Sequence, residues 1–176
     1  MRAYACRMNY AFIDGQNLYR GTQESGWKID HRRFRIYLQD KYKVDEARYF
    51  LGFVSDNQQG LYENLERAGF VLSFREHSIG ALGSKKGNVD TDLVFEVMRM
   101  LVEKEKLDKA FIVSGDGDYK RLANFLIRKG KFGKMLFPNK KFVSSVYKKL
   151  GLEYVDYLGN ENVRAKIART SREEAP

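Results

Sequence analysis

The chain has 176 residues, 43% of them hydrophobic, which suits one globular domain with its own core and excludes a disordered polar chain. Lysine and arginine number 32 against 23 acids, a net charge of +9 that favours a polyanionic partner such as nucleic acid, or an anionic membrane surface. Cys6 is the single cysteine, so an internal disulfide is excluded and a cytoplasmic location is expected; the most apolar stretch, Leu93 to Val102, is interrupted by Glu96 and Arg99 and is too short to span a bilayer.

Apolar runs bounded by turn residues predict strands alternating with helices. Tyr10 to Ile13 is the first strand and ends in an acidic glycine turn, Asp14-Gly15-Gln16-Asn17-Leu18. Ile29 to Tyr42 follows as a helix, with Phe34, Tyr37 and Leu38 at helical spacing, and Arg48 to Val54 as a strand. Asp56 is placed to cap a helix over Asn57 to Ala68, which Gly69 stops, and Phe70 to Phe74 is a third strand. His77 to Asn88 is a loop carrying Lys85 and Lys86. Val89 to Lys106 is the longest helix, apolar over much of its circumference. Ala110 to Val113 reads as a buried strand, after which Gly115 and Gly117 free the backbone to turn and Tyr119 to Lys129 leads away as a helix that Gly130 ends. Lys134 to Phe137 is a fifth strand, Phe142 to Leu150 a helix and Glu153 to Tyr157 a last short strand. The expected domain runs from 8 to 159, with 1–7 and the polar 160–176 as flexible termini.

Such alternation implies an α/β fold, a parallel sheet covered by helices on both faces. If the Tyr10 and Ala110 strands are central neighbours whose crossovers leave in opposite directions, a crevice opens between Asp14 and Asp116.

Carboxylates fall at plausible places around that crevice. Asp14 follows the first strand, Asp90 and Asp92 open the long helix with Glu96 one turn on, and Asp116 and Asp118 follow the Ala110 strand. Two carboxylates about 4 Å apart repel by about 4 kcal/mol at an effective dielectric near 20. A cluster therefore raises its pKa values or recruits a cation, and oxygen-only ligands favour Mg²⁺ or Mn²⁺. His31 and His77 are isolated and expected on the surface or in loops, so no zinc spacing is present. Singly, each acid has a plainer reading: Asp-Gly pairs form turns, Asp90 caps a helix, and Glu96 faces solvent. The convergence of two acidic turns, each after an apolar strand, with an acidic helix start favours the site.

Three ordered motifs carry a resemblance: Phe12-Ile13-Asp14-Gly15-Gln16-Asn17-Leu18, Lys86-Gly87-Asn88-Val89-Asp90-Thr91-Asp92-Leu93 and Val113-Ser114-Gly115-Asp116-Gly117-Asp118-Tyr119. Together they resemble the NYN domain of the PIN-like nuclease superfamily, and more closely its bacterial LabA-like branch, from about Tyr10 to about Tyr157. The resemblance implies a three-layer α/β/α fold with a mainly parallel sheet, a carboxylate pocket for Mg²⁺ or Mn²⁺, and ribonuclease activity. By the same resemblance, Asp14, Asp90, Asp92, Asp116 and Asp118 are the metal ligands, and Asp14, Asn17, Asp92, Asp116 and Asp118 the catalytic set. Many relatives have Asp where this chain has Glu96. One or two ions held there would activate water for in-line attack on a phosphodiester, with Asn17 and Ser114 positioning water or a phosphate oxygen.

An acidic pocket repels a polyanion, so a basic rim must draw RNA in. Ser114, Lys85, Lys86, Arg121 and Lys140 are the expected substrate contacts, with Arg75, Lys120 and Lys141 nearby, and Tyr19, Trp27 and Tyr119 are candidates for stacking on bases. A non-catalytic RNA-binding or regulatory module on the same fold is the alternative. A haloacid-dehalogenase-like phosphatase fits poorly, because Gln16 stands where its second aspartate belongs. Exposed aromatics leave a homodimer open.

Overall fold

A computed structural model describes residues 7–75, 89–103 and 106–170. Its centre is a six-stranded sheet in which every pairing is parallel. In chain order the strands are β1 (Met8–Asp14), β2 (Val44–Leu51), β3 (Phe70–Phe74), β4 (Leu107–Val113), β5 (Phe132–Phe137) and β6 (Val155–Tyr157), arranged β3-β2-β1-β4-β5-β6. The helices are α1 (Gly15–Glu24), α2 (His31–Tyr42), α3 (Gln59–Arg67), α4 (Val89–Val102), α5 (Lys120–Arg128) and α6 (Glu161–Ile167).

β1 is nearly all apolar because both of its faces are covered. Ala11 and Ile13 point into one core, with Leu18 of α1, Phe34 and Leu38 of α2, Leu65 of α3, and Val163 and Ile167 of α6. Tyr10 and Phe12 point into the other, with Leu93, Val97 and Met100 of α4 and Leu122 and Leu126 of α5. The three-layer α/β/α arrangement is the one expected.

The expected crevice is present. β1 and β4 are neighbours, with Ile13 opposite Val113. The chain leaves β1 toward β2 and leaves β4 toward β5, so the loops after the two central strands part company. Gly69 and Gly130 end their helices with φ of +90° and +65°, which glycine adopts without strain.

Several local expectations need correction. The stretch after Asp14 is a full helix, α1, and Asp14 caps it by accepting a hydrogen bond from Asn17 N at 3.0 Å. Gly15 is there because of close approach: a Cβ would stand 2.4 Å from Tyr49 Cε1 and 2.8 Å from Phe50 O. Phe142 to Leu150 is not an α-helix but two 3-10 turns, Lys140–Phe142 and Ser145–Lys149. Val143 between them is extended, and Ser144 N donates to Gly115 O at 3.2 Å, which ties the segment to the acidic turn.

The tail from Asn160 is not frayed over 161–167; α6 buries Val163 and Ile167 beneath α2. It then pairs back, with Asp30 N on Ile167 O at 2.8 Å and Arg169 N on Lys28 O at 2.9 Å. His31 is buried rather than superficial. It opens α2, sets Nδ1 3.2 Å from Asn64 Oδ1, and has its pKa lowered by burial, with Arg169 adding to the effect. Among the described residues no helix is long and apolar enough to cross a membrane. The loop of 77–88 lies outside the described residues.

Candidate metal centre

Asp90, Asp116 and Asp118 converge, each offering a carboxylate oxygen within 4.8 Å of the others. Two elements bring them there. The first turn of α4 supplies Asp90, and the turn after β4 supplies the other two. Asp116 accepts from Asp118 N at 3.1 Å, so it is a turn-capping residue as well as a member of the group. Tyr147, from the second 3-10 turn, donates its hydroxyl to Asp116 O and fixes that turn from outside. Gly117 is tight against Ser144, where a Cβ would come within 2.7 Å of Oγ. It therefore serves close packing; neither it nor Gly115 has positive φ, contrary to the sharp-turn role expected of them.

Asp14 lies behind this group and is only 5% exposed. Its Oδ2 accepts from Ser114 Oγ at 3.3 Å and from Tyr119 Oη at 3.2 Å. The same Tyr119 hydroxyl donates to Asp90 Oδ1 at 2.5 Å. One phenolic proton thus faces two carboxylates, and it can satisfy only one at a time. Burial first, then the neighbouring Asp90 charge, pushes the Asp14 carboxyl above the usual carboxylate range, although Asn17 N, Tyr119 and Ser114 pull it back. Burial and the Asp14 carboxylate push the Tyr119 hydroxyl up as well, so it stays a donor.

Oxygen-only donors of this kind fit a hard divalent cation. Oxygens sharing an ion at about 2.1 Å stand roughly 3–4 Å apart, so small side-chain adjustments would let the three carboxylates share one.

Asn17 accepts at Oδ1 from Gly115 N at 2.7 Å, which ties the start of α1 to the turn after β4. Ser114, fully buried, accepts from Asp116 N at 3.1 Å while donating to Asp14. Asp92 is half-buried in α4 and outside the group of three. Glu96 faces neither solvent nor the group. Arg99 and Arg48 bind it, and Arg99 above all holds its carboxyl below the ordinary value.

On the substrate side, Arg121 is exposed on α5, and Lys140 sits with Nζ 5.0 Å from the Tyr157 ring centroid. Lys85 and Lys86 lie outside the described residues. Tyr119 is wholly buried and Trp27 nearly so, packed against Arg164, and neither can stack on a base as expected. Tyr19 remains 63% exposed. The bridging role of Tyr119 is the main feature that sequence reasoning missed; its position three residues after Asp116, with an apolar ring and a polar tip, was the available signal.

The model of the NYN domain family matches residues 10–150. The chain belongs to the NYN domain family. Within it, the chain is 27% identical to the low amplitude and bright protein LabA of Synechococcus elongatus, over 65% of each chain. It thus spans about two thirds of the length of that relative. A crystal structure of a protein of unknown function from Vibrio parahaemolyticus superposes with a TM-score of 0.62 at 20% identity, covering 89% of this chain and 94% of the other. That likeness confirms the fold of this NYN domain. The three motifs that suggested the family all lie within the matched region, and two of them supply the carboxylate group.

Proposed function

We propose that this NYN domain is a metal-dependent nuclease that hydrolyses phosphodiester bonds, with RNA as its substrate. The observation that carries the reading is the convergence of Asp90, Asp116 and Asp118 within 4.8 Å at the switch point of a fold belonging to a family of PIN-like nuclease type. These three residues would hold Mg²⁺ or Mn²⁺. The bound ion would make water a nucleophile at neutral pH and offset charge developing on the phosphodiester.

The rest of the chain's contribution is positioning. Tyr119 orients Asp90 and keeps Asp14 in the hydrogen-bonded interior. Asn17 and Ser114 clamp the start of α1 to the turn after β4, so the backbone that carries Asp116 is held in place before anything binds. Asp14 acts through that network, and Asp92 has no part in the reading. The net charge of +9 supports a polyanionic substrate.

The test is cleavage of labelled single-stranded RNA with Mn²⁺ or with EDTA, by the wild type and by Asp116→Asn. Metal-dependent cutting that the variant loses is the expected result. RNA bound equally by both proteins, without metal and without cutting, would contradict the reading and favour a binding module.

A further inference from the structure

Beside the carboxylates the described residues enclose a cleft of about 890 Å³, within the roughly 300–1,000 Å³ typical of ligand pockets. Chain neighbours of the acidic residues line it: Gly15 and Gln16, which follow Asp14, and Val89, which precedes Asp90. Its charge is opposite to that of its neighbour. Arg20, Lys28, Arg75 and Arg169 line it, and no carboxylate does among the described residues. These cations come from α1, the segment before α2, the end of β3 and the tail after α6. Arg169 is held beside Lys28 by the backbone bond between them, so the fold brings both residues to the lining of the cleft. Arg75, which lines the cleft, has a buried Nη1 with no hydrogen-bond partner among the described residues.

Two aromatic rings complete it. Tyr19 and Phe53, 63% and 41% exposed, line the cleft, and the Arg75 guanidinium lies 5.7 Å from the Phe53 ring centroid. Exposed rings beside cations that have no carboxylate among the described lining residues suit a ligand with a flat apolar face and a negative charge. A nucleotide has both. An acidic peptide uses the charges but leaves the rings idle. A duplex keeps its bases stacked inside and has none to offer a recess.

We propose that this cleft is a nucleotide subsite for single-stranded RNA, which seats an unstacked base against Tyr19 and Phe53 and its phosphate among the cations while the chain runs on across the carboxylates. The proposal rests on the nuclease reading for its substrate, but it fails or stands separately.

The experiment is ultraviolet crosslinking of a short 4-thiouridine RNA to the full chain in EDTA, with crosslinks mapped by mass spectrometry, together with anisotropy titrations of Tyr19→Ala and Arg169→Ala. Tyr19 and Arg169 are exposed, so both variants should fold. Crosslinks at Tyr19 or Phe53 are expected, with binding about five- to 100-fold weaker in Tyr19→Ala and a shallower salt dependence in Arg169→Ala. Crosslinks confined to other surfaces, with both variants binding as wild type, would overturn the subsite even if metal-dependent cleavage is intact. Equal competition by double-stranded RNA or polyglutamate would also overturn it, because it would reduce the cleft to a general polyanion surface. Absence of RNA binding would overturn it too, while the cleavage assay judges the nuclease reading on its own.

Discussion

Two regions side by side at one end of the sheet have opposite charge and opposite construction. The acidic group is wired by side chains of its own motifs: Asp14 caps α1, Asp116 caps the turn after β4, Asn17 and Ser114 reach across the β1–β4 pairing, and Tyr119 joins Asp14 to Asp90 of α4. The cationic cleft is assembled from distant parts, and its Lys28–Arg169 edge exists only because α6 docks and the tail returns. Negative charge here is thus built into motifs, and positive charge into tertiary structure. The two regions should be separable by mutation.

The largest expected effect is on the cleft side. Ile167→Ala removes a fully buried side chain from α6 and should cost about 2–5 kcal/mol of stability, read by denaturant unfolding. If the regions are independent, metal affinity of the folded fraction should hold. Equal loss of metal binding would merge the two regions into one. On the acidic side, Tyr119→Phe should lower Mn²⁺ affinity by about 10- to 100-fold, the usual cost of losing a partner that orients a ligand, while RNA binding in EDTA is unchanged.

A control lies at the opposite edge of the sheet. Burial raises the Asp156 carboxyl, but hydrogen bonds from Lys41 and Tyr42, both at 2.7 Å, outweigh it and hold the pKa below the ordinary value. A depressed carboxyl stabilises above its unfolded pKa and loses that contribution as pH falls through the folded one. Asp156→Asn should therefore cost about 1 kcal/mol at neutral pH and touch neither region. An effect on metal or RNA binding would show coupling across the sheet.

The smallest effect concerns the cleft floor. His31 has its pKa lowered from the ordinary 6.5, so the unfolded state binds its proton first. Stability is full above about 6.5 and declines as pH drops below it toward the folded value. His31→Gln should flatten that decline in melts between neutral and mildly acidic pH. An unchanged slope would mean that His31 titrates normally.

The difference in construction also explains what can be read in the sequence. Strands and most helices follow from apolar runs of the right period, and the central switch point follows from their order. The acidic motifs are contiguous, so Asp90, Asp116 and Asp118 are legible in the chain itself. α1 is not: its Asp-Gly start reads as a turn, and nothing in Gly15–Glu24 shows that Leu18 would meet the sheet. α6 reads as polar because only Val163 and Ile167 of its seven residues are buried. The 3-10 turns around Ser144 depend on contacts with Gly115 and Gly117, which no local propensity encodes. Tyr119 and Trp27 read as nucleic-acid contacts because aromatic residues do not declare their burial.

The central claim is that Asp90, Asp116 and Asp118 act as one metal site. Its most direct test is a titration of Mn²⁺ followed by electron paramagnetic resonance, on the wild type and on Asp116→Asn. The account predicts saturable binding by the wild type, competed by Mg²⁺ and lost in the variant. Binding that is unchanged in Asp116→Asn, or absent from a folded wild type, would contradict it.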